Sequence, residues 1–483
     1  MMIKVKLNDD FYSYDVYHIL SLFFDAVELI ISNDWDYSIR VEDNCVYIAS
    51  SKEIESYKFD SSLKDKSNVK IAIFKYFTKL TGKILPWGTL IGIRPSKIAL
   101  KLMEENKTDK EIIDYFKHHS LTEENKTKLC IEVARREKEI VNDDVKTISI
   151  YIGMPFCPTR CLYCSFISDT IANCRNLVDD YLKAMIYEIE KTAAFIDKKG
   201  LTIESIYFGG GTPTSVDNRQ FEYVMKSIYD NLLKVRVKEF TVECGRPDSI
   251  TYEKLMSMKK YGVSRISINP QTMNDDTLRL IGRKHSAEDV IDKFYLSRKV
   301  GFDNINMDII IGLPGENTLK VKNTCSEIIK LRPESITVHG LALKRGSKMF
   351  ENVLNNVKMK IPNQNELNAM HEETLNCAYT LNMKPYYMYR QKNMVGNLEN
   401  VGYSVNGKEC IYNVEMIEDK QTIIAIGSNG VSKIIFRDTN RIERYGNLKD
   451  VREYTRRIEE KVDGKLKFLE TLYKACSKDN EFI

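Results

Sequence analysis

The chain has 483 residues, 29% of them charged, with 72 Lys and Arg against 68 Asp and Glu and a formal charge of +4. So even a balance does not point to a nucleic-acid partner, and no run of about eighteen apolar residues is present to span a bilayer. The start, "MMIKVKLNDDFYSYDVYHIL", lacks the cationic-then-apolar layout of a secretory signal. Eleven scattered cysteines, an odd number, argue against a disulfide framework and for a reducing, cytoplasmic setting.

Residues 1–145 read as a separate α/β unit. "MIKVKL" predicts a strand, Tyr14 to Ile31 an amphipathic helix, "DYSIRVEDNCVYIASS" a hairpin through Glu42, Asp43 and Asn44, and Ser67 to Thr81 a second helix. After "WGTLIGIRPSK" three helical segments run to about Val141, and "VNDDV" is a polar joint. Residues 146–345 alternate strand and helix. The strands are "TISIYIGM", "IESIYFGG", "EFTVEC", "SRISINPQ", "NINMDIIIGL" and "SITVHGLAL", separated by helices such as Leu177 to Lys198, Phe221 to Leu233, Tyr252 to Tyr261 and Leu319 to Leu331. That alternation implies parallel pairing with right-handed crossovers, in an open doubly wound sheet or a partial barrel. Residues 346–483 mix a helix (Asn365 to Leu381), short strands and Gly-rich turns, and read as a third unit of α+β type.

In a parallel α/β domain, chemistry collects at the carboxyl ends of the strands. The first predicted strand runs into "CPTRCLYC" and the second into "GGGTPT", Gly209 to Thr214. The third ends at Glu243 and the fourth at Gln271; the fifth carries Asp308 and the sixth His339 and Ala342. A carboxylate in an apolar strand is costly to bury alone, so a set of them at equivalent positions points to a polar ligand, while any one could be a structural ion pair. "GGGTPT" is not a P-loop, since no Gly-Lys-Ser/Thr follows, but glycine lets its backbone approach a ligand closely.

Cys157, Cys161 and Cys164 stand at spacings of four and three. A structural zinc site wants four closed ligands, and Cys174 is the one further cysteine nearby. Three thiolates suit an iron–sulfur cluster with one iron left open.

On these residues the chain resembles the radical S-adenosylmethionine (SAM) superfamily. The likeness lies in the cysteine spacing, Tyr163 before the last cysteine, "GGGTPT", Glu243 and "DIIIGLPGE". It implies a 4Fe–4S cluster on Cys157, Cys161 and Cys164, with SAM on the open iron cleaved to a 5′-deoxyadenosyl radical. "YIGMPFC", "YFGGGTPT", "RISINPQTMND", "GRKHS", "INMDIIIGLPGE" and "IIAIGSNGVSKIIF" narrow the resemblance to oxygen-independent coproporphyrinogen III oxidases, and "WGTLIGIRPSK" to their longer HemZ-type members. The fold implied is a partial (β/α)6 barrel with an N-terminal α/β domain and a C-terminal α+β domain.

The resemblance further implies two SAM molecules. Tyr151, Gly210, Glu243 and Val431 would touch the one on the cluster; Tyr163, Gly211, Thr212, Gln271, Arg283, Asp308 and Ala342 would line the second site. (Read without the resemblance, Arg283 could simply cap the helix ending at Gly282.) The reaction implied converts two propionates of coproporphyrinogen III to vinyl groups, giving protoporphyrinogen IX. An electron donor such as flavodoxin or ferredoxin would serve it, and Arg246, Lys344, Arg345 and Arg390 are candidate propionate partners. The chain departs from typical oxidases at Phe166, where they carry a fourth cysteine, at Gly153, where they have His, and at "NPQ" in place of Gly-Val-Gln. Haem chaperones on the same core share the Phe, but Gly396 stands where their C-terminal His would fall. A haem-opening radical methyltransferase is the third possibility.

Overall fold

A computed structural model of the chain describes residues 2–24, 26–165, 169–234, 237–355, 360–391, 394–437, 439 and 441–478. Phe166 lies outside them. The chain divides into two compact units: Met1–Arg135 with Asn363–Ala369 and Met388–Glu399, and Arg136–Pro362 with Met370–Tyr387 and Asn400–Ile483. The stretch expected as a third unit is thus shared between these two.

The first unit holds β1 (Met2–Leu7), α1 (Ser13–Leu20), β2 (Ala26–Ile30), β3 (Tyr37–Glu42), β4 (Cys45–Ala49), β5 (Ile54–Lys58), α2 (Asp65–Thr81), α3 (Ser96–Glu104), α4 (Asp109–Ser120) and most of α5 (Glu124–Ile140). Its sheet has the order β2-β1-β3-β4-β5. The expected helix from Tyr14 to Ile31 is instead a helix ending at Leu20 and a strand, β2, parallel to β1. Val27 and Leu29 pack on the core with Glu28 between them, a period of two that a helix does not have. The hairpin stands where expected: Asp43 and Asn44 take φ of 51° and 55°, the left-handed pair a two-residue turn requires. Residues 388–399 are tied into this unit by Glu399, which accepts from Trp87 Nε1 and Lys126 Nζ, both at 2.6 Å.

The second unit carries β6 (Thr147–Met154), the short pair β7 (Phe156–Cys157) and β8 (Asp169–Thr170), α6 (Ile171–Lys199), β9 (Thr202–Gly210), α7 (Asn218–Leu232), β10 (Glu239–Glu243), α8 (Tyr252–Lys260), β11 (Arg265–Ser267), α9 (Asp275–Leu280), α10 (Ala287–Val300), β12 (Ile305–Ile311), α11 (Thr318–Leu331), β13 (Ser335–Gly340) and α12 (Lys348–Leu354). There follow α13 (Gln364–Thr380, in this unit from Met370), β14 (Lys384–Tyr389, in this unit up to Tyr387), β15 (Asn400–Ser404), α14 (Ile411–Glu418), β16 (Thr422–Ile426), β17 (Val431–Phe436), β18 (Arg441–Gly446), α15 (Val451–Arg456) and α16 (Ile458–Lys478). One sheet runs β14-β15-β13-β12-β11-β10-β9-β6-β16-β17-β18.

Six of these strands, β6 and β9 to β13, lie side by side in chain order and all parallel. A doubly wound sheet would reverse its order at a switch point; an unbroken progression is the partial barrel. The alternation of strand and helix left both arrangements open, and the observed order decides between them. β11 is shorter than predicted because Pro270 supplies no amide hydrogen and Gln271 has φ of +66°. At the other edge β16 adds to β6 in parallel, so C-terminal chain completes the same sheet.

That addition rests on a buried polar node. Glu188 on α6 accepts from Gly427 N (2.8 Å), Asn447 Nδ2 (2.8 Å), Tyr454 Oη (2.5 Å) and Lys465 Nζ (2.7 Å). Lys465 also donates to Ala425 O at 3.0 Å. Both charged side chains are essentially inaccessible, at 0% and 1% exposure. Breaking a buried pair leaves an uncompensated charge, so Lys465→Met should cost about 3–5 kcal/mol. Chemical denaturation should show a lowered midpoint, and Glu188→Gln combined with Lys465→Met should recover part of it.

Candidate functional site

The cysteine loop begins as β6 ends. β7 pairs in parallel with β8, Phe156 opposite Asp169 and Cys157 opposite Thr170, and Asp169 N donates to Pro155 O at 2.9 Å. The loop is thereby closed at its base. Its outer part is held by backbone: Leu162 N to Ile281 O (3.0 Å), Met349 N to Leu162 O (2.9 Å) and Cys164 N to Cys161 O (3.2 Å). Thr159 Oγ1 donates to Gly282 O at 3.0 Å and Arg160 to Gly346 O at 2.7 Å.

The glycine turn after β9 lies against the start of the loop. Gly211 N donates to Met154 O at 2.5 Å and Thr212 N to Phe156 O at 2.7 Å. Such an approach needs glycine: a Cβ at Gly211 would lie 2.5 Å from Phe156 O, and Gly210 has φ of +96°. Lys254 on α8, almost wholly buried, donates to Thr214 O (2.7 Å) and Ser249 O (3.1 Å), joining this turn to the one after β10. Burial lowers its pKa to about 8.

Cys161 is buried, and Cys157 and Cys164 are half-buried. Thr212 Oγ1 faces Cys157 Sγ at 3.6 Å, and Arg246 Nη1 faces Cys161 Sγ at 3.8 Å. Among the described residues no three of His, Cys, Asp and Glu converge as ligands of a single metal ion. Cluster thiolates each bind a different iron and need no such convergence. Cys174 faces inward from α6 and is buried, its thiol pushed up by burial.

At the strand ends Glu243 accepts from Tyr207 Oη, Ser267 Oγ (2.9 Å) and Asn269 Nδ2 (3.1 Å). Burial raises its pKa and the charge of Asp308 adds to that. Burial would raise Asp308 too, but His339, 3.7 Å away, and Asn306, donating at 2.7 Å, hold it below the usual value. The environments therefore push two neighbouring carboxyls apart, one toward the neutral form and one toward the anion.

Gln271 is buried at positive φ, with its Oε1 lacking a partner among the described residues. Arg283 does close the helix before it, but through its backbone: Arg283 N donates to Leu278 O at 2.9 Å, just past Gly282 at φ of +78°. Its guanidinium donates to Tyr163 Oη (3.1 Å), Gly245 O (2.5 Å) and Asn269 O (2.7 Å), pinning the cysteine loop to the ends of β10 and β11. Tyr151 and Tyr207, opposite each other on β6 and β9, stack with Tyr412 of α14; the Tyr207–Tyr412 centroids are 4.6 Å apart. Ala342 follows β13, partly buried. Val431 opens β17 at 47% exposure, outside this hydrogen-bonded set.

Two candidate propionate partners are otherwise engaged. Arg246 is 4% exposed and committed to Asp248, Thr159 and Cys161. Arg390 lies in the first unit, stacked 4.9 Å from the Trp87 ring and donating to Leu90 O and Asn397. Lys344 is half-buried, its pKa lowered by burial and partly restored by Cys164; Arg345 is exposed.

Residues 151–328 match the model of the radical SAM superfamily. Over its whole length the chain is similar to the oxygen-independent coproporphyrinogen-III oxidase-like protein HemZ of Bacillus subtilis, 36% identical across 99% of this chain and 100% of that one. The chain belongs to that branch of the radical SAM superfamily. The haem chaperone HemW of the same organism is 35% identical, but over 46% of this chain and 58% of its own. Among solved structures, coproporphyrinogen III oxidase (HemN) of Escherichia coli shares the fold, with TM-score 0.53 at 20% identity over 68% of this chain and 73% of that one.

Membership in the radical SAM family implies a 4Fe–4S cluster and SAM. The residues present fit them: three thiols beside polar donors, a glycine turn with no room for side chains, and buried Gln271 Oε1 and Arg283 Nε without partners among the described residues. Tyr207, Tyr412 and Asp248 were not foreseen. Only the last had a usable signal, the Arg-x-Asp spacing in "GRPD".

The buried Lys254 gives a pH prediction. Between about 8 and its ordinary 10.5 the unfolded chain keeps a proton that the folded chain has lost. Stability gained from this group therefore rises with pH across that window. Denaturation should show the native protein gaining stability relative to Lys254→Met from pH 8 to 10.

Proposed function

We propose that the chain is a radical SAM enzyme that oxidatively decarboxylates two propionates of coproporphyrinogen III to vinyl groups, yielding protoporphyrinogen IX. The observation that carries this reading is the end-to-end match to the HemZ relative, which includes both regions outside the barrel strands. In it Cys157, Cys161 and Cys164 hold the cluster, and Tyr151, Gly210 and Glu243 meet the SAM on it. When bound, cluster and SAM supply one-electron cleavage of the sulfonium and abstraction of a substrate hydrogen atom.

A second SAM would lie among Tyr163, Gly211, Thr212, Gln271, Asp308 and Ala342. Asp308, held as the anion, suits an ammonium group, and the free Gln271 Oε1 suits a donor. Both Nη atoms of Arg283 are occupied, so its part is to orient Tyr163 more than to clamp a carboxylate. Val431 has the least support. Lys344 and Arg345 remain as propionate partners, and an acidic flavodoxin- or ferredoxin-type protein would deliver the electrons in the cytoplasm.

The rival reading, a haem chaperone, is favoured by the HemW match over 46% of this chain. Against it, Gly396 has φ of +77°, and a Cβ there would lie 2.7 Å from Leu367 Cδ1. The position can hardly present a histidine.

Protein reconstituted anaerobically should convert coproporphyrinogen III, with SAM and a reductant, to products lighter by CO2 and two hydrogens, twice over, by mass spectrometry. Cys161→Ala should abolish both this and 5′-deoxyadenosine release. Tight haem binding without a tetrapyrrole product, or a methylated linear tetrapyrrole made from haem, would overturn the proposal.

A further inference from the structure

Arg246 is a buried cation on one cluster thiol. It follows β10 by three residues and is 4% exposed, and every nitrogen of its guanidinium is engaged. Nε and Nη2 grip the two oxygens of Asp248 at 3.0 and 2.9 Å. Nη1 donates to Thr159 Oγ1 at 2.8 Å and lies 3.3 Å from Thr159 O and 3.8 Å from Cys161 Sγ. The bidentate carboxylate fixes the plane of the guanidinium, and Thr159, within the cysteine loop itself, fixes its reach.

The three thiols are therefore not equivalent. Cys157 faces the neutral hydroxyl of Thr212 and Cys164 has the half-buried Lys344 nearby, whereas Cys161 faces the fixed, buried Arg246 with the charge of Arg283 also near it. His285, with Nδ1 3.9 Å from Asp248 Oδ1, is buried, and burial together with the charges of Arg283 and Arg246 lowers its pKa to about 3. Asp248 is thus the one anion bonded to the Arg246 guanidinium among the described residues.

We infer that Arg246 is a positioning residue that sets the reduction potential of the cluster through Cys161, with Asp248 as the counter-charge that moderates it. This rests on the cysteines holding the cluster as proposed above. Reduction adds one negative charge to the cluster. A fixed cation beside a ligating sulfur favours that state, and does so more strongly away from water. Removing the cation must lower the potential, and neutralising its counter-ion must raise it. A residue that merely supported the loop would leave the potential of an assembled cluster unmoved.

The test is an EPR-monitored redox titration of anaerobically reconstituted full-length protein, with iron and sulfide counted in each sample. Arg246→Gln should lower the reduced-to-oxidised ratio at a fixed ambient potential about tenfold, which is about 59 mV for a one-electron couple. Arg246→Lys, which keeps the charge, should restore most of it, and Asp248→Asn should shift the potential upward. Should Arg246→Gln not retain its iron, the Asp248→Asn and Arg246→Lys titrations decide. An intact cluster with unchanged potential in Arg246→Gln, or a downward shift in Asp248→Asn, overturns the inference. A wild-type protein that takes up no iron and sulfide would instead overturn the cluster assignment.

Discussion

Everything in the second unit depends on one seam, where the chain leaving β6 lies backbone to backbone against the turn leaving β9. The bonds from Gly211 N to Met154 O and from Thr212 N to Phe156 O extend the pairing of the two strands beyond their ends. No side chain at 211 fits between them. Because the seam is made of main chain, it fixes the first cysteine relative to the barrel without relying on side-chain rotamers. The cysteine loop then has only to be closed at its far side, which Ile281, Gly282 and Met349 do, again largely through backbone.

On that frame the charged groups are arranged in two tiers. At the strand ends Glu243, Asn269 and Asp308 form a continuous hydrogen-bonded row, Asn269 donating to Glu243 and accepting from Asp308 N. Beneath the cysteine loop Arg246, Asp248, His285 and Arg283 form a second group. Arg283 joins the tiers, since it reaches both Tyr163 of the loop and the carbonyls of Gly245 and Asn269. Its charge is buried and acts on Cys161 as well as on Tyr163 and Asp248, so the loop has a second fixed cation besides Arg246.

The strands, and the positions proposed for the site along them, were legible in the sequence because parallel strands buried on both faces leave unbroken apolar runs. A lone Glu or Asp in such a run stands out, as Glu243 does at the end of β10 and Asp308 within β12. What was not legible came from chain distant in sequence. Tyr412 reaches the stack with Tyr151 and Tyr207 from a helix some 200 residues away, and nothing in "CIYNVEMIE" marks it. The partners of Arg390, and Thr159 as a partner of Arg246, were equally hidden. An arginine reads as a ligand-binding charge in the sequence whether its donors end on a substrate or on carbonyls. The strand at Ala26–Ile30 was missed because five residues of alternation are too few to outweigh the helical pattern running into them.

The C-terminal Gly-rich segment shows how stability and the site are linked. "IIAIGSNG" contributes β16 and then turns back at Gly427, where a Cβ would lie 2.3 Å from Gly153 O. Gly153 O accepts from Tyr181 Oη at 2.6 Å, and Tyr181 Oη accepts in turn from Ser428 N at 3.2 Å. Gly153, one of the positions that depart from the oxidase pattern, is therefore packed beneath this turn. A Cβ there would stand 3.3 Å from the ring of Tyr151, so a larger side chain would have to displace it. Glycine at 153 and the turn at 427 are two halves of one contact, and Glu188 holds the second half in place through Gly427 N. A substitution at this position thus acts through the placement of Tyr151, at the inner wall of the barrel, before it acts on any ligand.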